Sequence, residues 1–425
     1  MTAADMPAAA RPLGVLVRYL LTASLVRTAS GGAAVGLFTL TTRTGGPGGA
    51  ALGGLLAALL TVPYVAGPWL AGVLDRARDG RRVLALSFAV FGAALLAVAL
   101  LLGRLPVAAV AALVVVAGLC GPLVTGGLSS RLAALDGLTD TAQRRAEGWD
   151  SATYGIGNTL GPAAVGALGA ALGPRAGVLC LGAAAALAAL TVLTLPGTGP
   201  PARPQAGPLR VAQTFRVIAT VGRLRRVMVA MALTALVSGG ITVIATTLGR
   251  QLSGSADAGA ALAAVYGFGY LAGSVLVGMA PPRGEPERTV TVLLAVSAAV
   301  VGCCALAPDY ALAVVAFAAA GAVSALLFTA TLAVRSVYAP PAARAQVYVS
   351  MGALKMAVSS AGTALAGTLM HTGPRLLLTT GAAVTALALA GVLGDRRLVS
   401  RHTEPESEGI SSARNNGRRF HSGIS

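Results

Sequence analysis

Arg27 and Lys355 stand inside stretches that are otherwise almost wholly apolar. Arg27 falls about twelve residues into the run 13–40 and Lys355 about ten into the run 345–370, which at the helical rise is ~18 Å and ~15 Å of depth. Ionised groups so deep in hydrocarbon are costly and mark sites of function. Two cations in one water-filled cavity would draw a carboxylate or another anion by Coulomb attraction. The acids lie elsewhere: Asp75, Asp136, Glu147 and Asp150 all fall at the ends of apolar runs, with Asp150 placed to meet Arg18. The competing readings are that Arg27 bonds backbone carbonyls freed by helix breaks, and that Lys355 is neutral or snorkels. Tyr64, Tyr154, Asn158, Tyr266 and Tyr270 are candidate cavity-lining residues, the last two sharing a helix face. Interfacial anchoring or helix–helix hydrogen bonding is open for each. Asn158 ranks first because it abuts a Gly-Pro segment.

The elements that must hold these residues follow from composition. Of 425 residues 55% are hydrophobic, 11% charged and 4% aromatic, with a mean hydropathy of +0.77. At ~20 residues per span the chain has room for about a dozen membrane helices. That balance excludes a soluble enzyme, a secreted disulfide scaffold and a nucleic-acid binder. The net charge of +17 comes from arginines in short gaps between apolar runs, Lys355 being the only lysine. Cys120, Cys180, Cys303 and Cys304 all lie within apolar runs as packing residues, so no disulfide framework, metal site or cofactor is expected. The amino-terminal run, broken by Arg18 and Arg27, reads as a first span and not a signal peptide.

Runs bounded by arginine, proline and glycine predict twelve spans: 13–40, 48–74, 83–103, 106–134, 146–172, 175–195, 227–250, 257–280, 288–307, 309–334, 345–370 and 374–394. The narrowest breaks are at Gly173-Pro174 and Pro308. Seventeen arginines lie in or at the edges of the gaps after even-numbered spans, against Arg43, Arg104, Arg175, Arg250 and Arg375 after odd ones. Positive residues are retained in the cytoplasm, so both termini are expected there, in the plasma membrane. The predicted organisation is a six-helix half over 1–195, a linker over 196–226, a second six-helix half over 227–394 and a disordered tail over 395–425. Within the linker, LRVAQTFRVIATVGRLRR spaces apolar residues at helical intervals between arginines, as an amphipathic surface helix does. The segment from Arg145 aligns with that from Arg344 at an offset of 199, matching Ser151 with Ser350 and Trp149 with Tyr348, which indicates parallel repeats.

After the second span comes GVLDRARDGRR, Gly72 to Arg82. Gly72 permits close helix contact, Asp75 can accept from helix-end N–H groups or an arginine, and the arginines hold the loop inside. With two six-span halves around it, this loop resembles the G-x-x-x-D-R-x-G-R-R/K signature of the major facilitator superfamily. Gly72, Asp75, Arg76, Gly80, Arg81 and Arg82 match, with two residues inserted before Gly80. The resemblance implies an all-α membrane fold of two pseudo-symmetric six-helix halves and a conformational latch at Gly72, Asp75, Arg76, Arg81 and Arg82. GNTLGPAAVG in the fifth span resembles the antiporter, mostly drug-efflux, motif through Gly157, Gly161, Pro162 and Gly166. The family's span-four arginine motif is absent, Arg131 lying at the end of its run.

The resulting expectation is a secondary transporter, not an enzyme, that exports a small organic molecule by rocker-switch alternating access. Arg27, Lys355, Asn158, Tyr154 and Tyr64 are the expected substrate-binding residues, and Asp150 the candidate proton carrier if protons are coupled. Import or uniport of an anionic metabolite is the alternative, favoured by Arg27 and Lys355. The expected partners are the substrate and the bilayer, with no nucleic acid, and the expected state is a monomer. No G-x-x-x-x-G-K-[ST] loop is present for ATP-driven pumping.

Overall fold

A backbone in hydrocarbon must satisfy its own N–H and C=O groups, and the apolar runs do so as helices. The computed structural model describes residues 10–44, 48–132, 139–196, 211–282, 284–340 and 343–419. In order these form α1 (Ala10–Thr44), α2 (Gly49–Thr61), α3 (Gly67–Arg76), α4 (Gly80–Leu101), α5 (Val107–Pro122), α6 (Leu128–Leu132), α7 (Asp140–Ala171), α8 (Pro174–Val192), α9 (Val211–Thr220), α10 (Gly222–Ser253), α11 (Ala256–Met279), α12 (Pro286–Leu306), α13 (Tyr310–Tyr338), α14 (Arg344–Thr368) and α15 (Pro374–Arg419).

Among the described residues nine helices are long and apolar enough to cross a bilayer, α5 and α6 forming one continuous span, and the pair α2–α3 makes a tenth. That pair bends by 49° at the tight turn Val62–Ala66, where Pro63 removes a backbone donor. The other two spans are α7 and α14, 32 and 25 residues long and too polar for a hydropathy measure. Twelve spans result. Both narrow breaks are present: α7 and α8 part at Gly173, whose φ of +95° suits glycine. Between α12 and α13, Asp309 caps α13 by accepting the Leu312 N–H at 2.9 Å.

The helices fall into two halves with matching internal contacts. In one, α1 packs on α7, α4 on α8 and α2 on α5; in the other, α10 packs on α14, α12 on α15 and α11 on α13. Each half is built around two apolar clusters, around Leu37 and Phe91 and around Leu84 and Phe88 in one, around Leu224 and Leu294 and around Leu248 and Phe317 in the other, the Leu84 and Phe88 cluster also taking in Ala345 and Val349 of α14. Within lipid these contacts are stabilised by dispersion and close fit rather than by exclusion of water. Small residues therefore matter most where backbones touch. A Cβ on Gly157 would come within 2.6 Å of the Arg27 carbonyl, and one on Gly32 within 2.7 Å of the Gly161 carbonyl. In the second half Gly239 and Gly362 lie against the backbones of Ser359 and Leu236.

The halves meet where α7 packs on α11 and α3 on α14. These contacts gather toward the face that carries most of the arginines: a Cβ on Gly148 would lie 2.6 Å from the Gly278 nitrogen, and one on Gly126 2.9 Å from Val349 Cα. Part of the linker, residues 197–210, lies outside the described residues. The α9 helix that follows buries Thr214 and Ile218 and exposes Phe215 and Arg216. The backbone of α15 continues past Asp395 to Arg419. A helix already nucleated by the last span extends at the cost of ordering one residue per added bond.

Gly161→Ala is expected to lower the melting temperature of the purified protein, at an overpacking cost of ~1–3 kcal/mol, because the added methyl meets the Gly32 and Thr28 backbones. Gly166→Ala, which adds a methyl to open space in the same helix, should leave the melting temperature unchanged or slightly raised.

Candidate functional site

The glycine contact between α1 and α7 sets Arg27 against Asp150. Arg27 Nη1 lies 2.7 Å from Asp150 Oδ1, with both side chains almost wholly buried, at 2% and 1% exposure. Nη1 also donates to the Asp150 carbonyl at 2.8 Å and to Thr153 Oγ1, while Nη2 donates to Ser129 Oγ at 2.8 Å. Tyr19 donates to Asp150 Oδ1 at 2.6 Å and Ser129 to Oδ2 at 2.8 Å. Both oxygens of the carboxylate are thus occupied.

This corrects two expectations. Arg27 does have an acid at its own depth, because α7 begins at Asp140 and Asp150 is therefore ~15 Å along it. Arg18 is not the partner of Asp150; its guanidinium donates to the Gly14 and Thr194 carbonyls at 3.1 and 2.8 Å.

From this pair a chain of aromatic contacts crosses between the halves. The Arg27 guanidinium sits 3.5 Å above the Tyr154 ring, and Tyr154 meets Phe328 of α13 edge-on with centroids 5.0 Å apart. Lys355 Nζ lies 3.6 Å from the centroid of the Phe328 ring. Arg335 lies 5.9 Å from the same centroid and 5.5 Å from that of Tyr348. Cations are attracted to the electron-rich faces of such rings.

Arg335 was not among the residues singled out from sequence, since it stands just past the end of the run 309–334. The helix α13 extends to Tyr338, which leaves Arg335 2% exposed. It donates to the Thr331 carbonyl at 3.0 Å, to Thr331 Oγ1 at 2.8 Å and to Met231 Sδ at 3.4 Å. The signal that could have found it is periodic: Phe328, Thr331 and Arg335 recur at helical spacing. Neither Arg335 nor Lys355 has a carboxylate within ion-pair distance among the described residues. Lys355, Phe328 and Thr331 line a cavity of about 70 Å³ together with Thr234, Ser238, Tyr266, Tyr270 and Ser324. The cavity walls thus combine one amine with several hydroxyls, a set able to bond a small polar group.

Tyr64 and Asn158 do not join this group. Tyr64 is buried against Gly121 and lines a separate apolar cavity of about 540 Å³ between α2, α3, α9 and α14. Asn158 is exposed on α7, one turn beyond Tyr154.

The loop after the second span divides its work. Asp75 reaches across to the other half, where its two oxygens accept the backbone N–H groups of Ala345 and Gln346 at 3.0 Å each. It thereby caps the first turn of α14 and meets the positive end of that helix dipole. Gly72 leaves room for the Gln346 side chain, and Gln346 accepts from Thr214 of α9 at 2.7 Å. Arg81 stays within its own half, bonded to Asp79 at 3.0 Å and to the Leu195 carbonyl at 2.8 Å. These hydrogen bonds from Arg81 hold the Asp79 carboxyl below the usual carboxylate range. Arg82 pairs with the same carboxylate at 3.6 Å and Arg76 is exposed. Gly80 packs beneath the Arg131 guanidinium.

The sequence profile described as Major Facilitator Superfamily matches residues 227–423. The chain also superposes on solved transporters over nearly its whole length. With the human organic anion transporter MFSD10 (TETRAN) it shares 17% identity at a TM-score of 0.71, covering 91% of this chain and 100% of that one. With a bacterial homologue of the iron transporter ferroportin in its outward-facing state the values are 13%, 0.70, 90% and 99%. With the proton:xylose symporter XylE bound to a deoxyglucose derivative they are 15%, 0.64, 89% and 95%. No curated protein matches the sequence.

The second half of the chain thus matches the profile of the major facilitator superfamily, and the chain as a whole has the fold of its solved transporters. Its halves are closed on one another at the arginine-rich face. Among the described residues no group of three or more His, Cys, Asp or Glu side chains is placed to hold a metal.

Breaking the buried pair leaves one charge uncompensated, so Arg27→Met should destabilise the protein by ~3–5 kcal/mol, read as a lowered melting temperature. The double variant Arg27→Met/Asp150→Leu should recover most of that loss; failure to recover would show that the pair does more than cancel charge.

Proposed function

We propose that this protein carries a small organic anion across the plasma membrane by alternating access of its two halves. The observation that carries this reading is the imbalance of buried charge. Arg27 is cancelled by Asp150, whereas Lys355 and Arg335 flank Phe328 with no carboxylate bonded to them among the described residues. A cation inside a membrane protein is stabilised by a counter-charge, and a bound anion would supply it. Lys355 is the direct contact, because it borders the hydroxyl-lined cavity; Arg335, held by Thr331, adds to the positive field. Tyr154 and Phe328 would cover the apolar part of the substrate. The human neighbour carries organic anions by its name, but the reading stands on Lys355 and Arg335, not on that likeness.

The remaining parts follow from charge and motif. The arginine-rich face is cytoplasmic on the retention of positive residues, which places both termini inside. Export is the direction supported by the antiporter-like segment Gly157–Gly166 alone, whose Gly157 and Gly161 also serve the α1–α7 contact. One chain contains both halves of the pathway, so a monomer suffices.

A ligand that binds only the folded state raises its apparent stability, by about 2.7 kcal/mol at a hundredfold excess over Kd. Aromatic and aliphatic carboxylates should therefore raise the melting temperature of the wild-type protein, have no effect on Lys355→Gln, and retain part of their effect on Lys355→Arg. Stabilisation by lipophilic cations, equal in wild type and Lys355→Gln, would overturn the assignment.

A further inference from the structure

Glu147 lies at the closed face, one turn before Asp150 on α7, and is 3% exposed. Its Oε1 accepts from Gln143 Nε2 at 3.1 Å, but its Oε2 is buried and accepts no hydrogen bond. The groups around it are committed elsewhere. Arg144 donates to the Pro282 carbonyl at 2.8 Å and to the Gly284 carbonyl, both in the loop between α11 and α12. Ser336 of α13 lies within hydrogen-bond reach of the carboxyl and interacts with it, while its hydroxyl donates to the Ala333 carbonyl at 2.9 Å. The charged or titratable groups that face Glu147 are Arg144 and Asp150 of its own helix, Arg335 of α13 and Tyr348 of α14. From α11 and α12 the facing residues are Val277, Pro286 and Thr289, none of which titrates.

An ionised carboxylate with a bare buried oxygen is strongly disfavoured, and such a group is relieved by taking up a proton. The neutral acid would gain an O–H donor. Beside Glu147 is a cavity of about 20 Å³ lined by residues of both halves, among them Arg144, Val277, Pro282 and Leu326, which has room for one water to accept that bond. What encloses Glu147 is the contact of the halves themselves: α7 and α11 touch at Gly148 and Gly278, and Trp149 lies over Gly278. Parting these helices would admit water to the carboxyl.

We propose that Glu147 binds a proton while the arginine-rich face is closed and releases it when α7 and α11 separate, so that protonation of this one carboxyl biases the gate. The proposal rests on the alternating-access reading. It assigns proton coupling to Glu147 in place of Asp150, both of whose oxygens already accept hydrogen bonds. A group whose proton affinity differs between two states shifts their equilibrium by the same factor. Each tenfold difference in affinity is therefore a tenfold change in the ratio of closed to open molecules.

The test needs no substrate. In a background with the four native cysteines replaced by serine, spin labels at Arg145→Cys and Arg288→Cys, both exposed, report the separation of the halves in lipid nanodiscs by pulsed electron resonance. The short separation should dominate in acid and give way to a longer one as pH rises, and Glu147→Gln should hold the short separation at every pH. Infrared spectroscopy supplies a second readout: the closed protein should show the carbonyl band of a protonated carboxylic acid, lost in Glu147→Gln and shifted in Glu147→Asp. A wild-type separation that does not respond to pH, or a response that survives in Glu147→Gln, would overturn the proposal. Failure of carboxylates to stabilise the protein would sink the anion reading and leave this one standing.

Discussion

A charge held in hydrocarbon has to be cancelled, and the arrangement of the central helices follows from how this chain meets that requirement. Arg27 and Asp150 neutralise each other, and they can do so only because Gly157 brings α1 and α7 into backbone contact. The desolvation of two ions is large and is offset only when geometry and further hydrogen bonds are good. Tyr19, Ser129 and Thr153 supply those bonds. Placing Arg27 in this way also stacks it on Tyr154 and so positions the ring that meets Phe328. The charge balance of one half thereby sets the contact surface offered to the other, where Arg335 and Lys355 have no carboxylate bonded to them among the described residues.

How much of this was legible in the sequence depended on the reach of each signal. Hydropathy and arginine spacing report on one helix against lipid, so the twelve runs and even the break at Gly173 could be read. They say nothing about depth when a helix starts earlier than its apolar run does. Asp150 seemed to lie at a helix end because the run begins near residue 146, but the polar turns from Asp140 are already helical. Arg335 was hidden by the opposite error: the run ends at 334 and the helix does not. Lys355, well inside its run on either measure, could be singled out by depth alone. Which residues meet across the halves, such as Tyr154 with Phe328, left no mark in spacing at all.

The two contacts at the arginine-rich face differ in kind. Between α7 and α11 glycine lets backbones touch, and the contact is short-ranged, with a buried hydroxyl pair, Ser151 and Ser274, beside it. Between α3 and α14 a carboxylate caps a helix, and the contact is polar and directional. Opening the face has to give up both, one by losing fit and the other by exchanging protein partners for water. A membrane protein gains no hydrophobic driving force from such exchanges, so small local terms decide which state prevails.

The capping of α14 by Asp75 has a consequence for how the motion could be watched. The amides of Ala345 and Gln346 belong to one half, yet the group that shields them belongs to the other. The start of a helix has no internal partners for its amides, so those two protons are held from solvent only during the time the halves stay together. Their rate of exchange with deuterated water is accordingly a clock for the gate, written into the backbone and readable without a label.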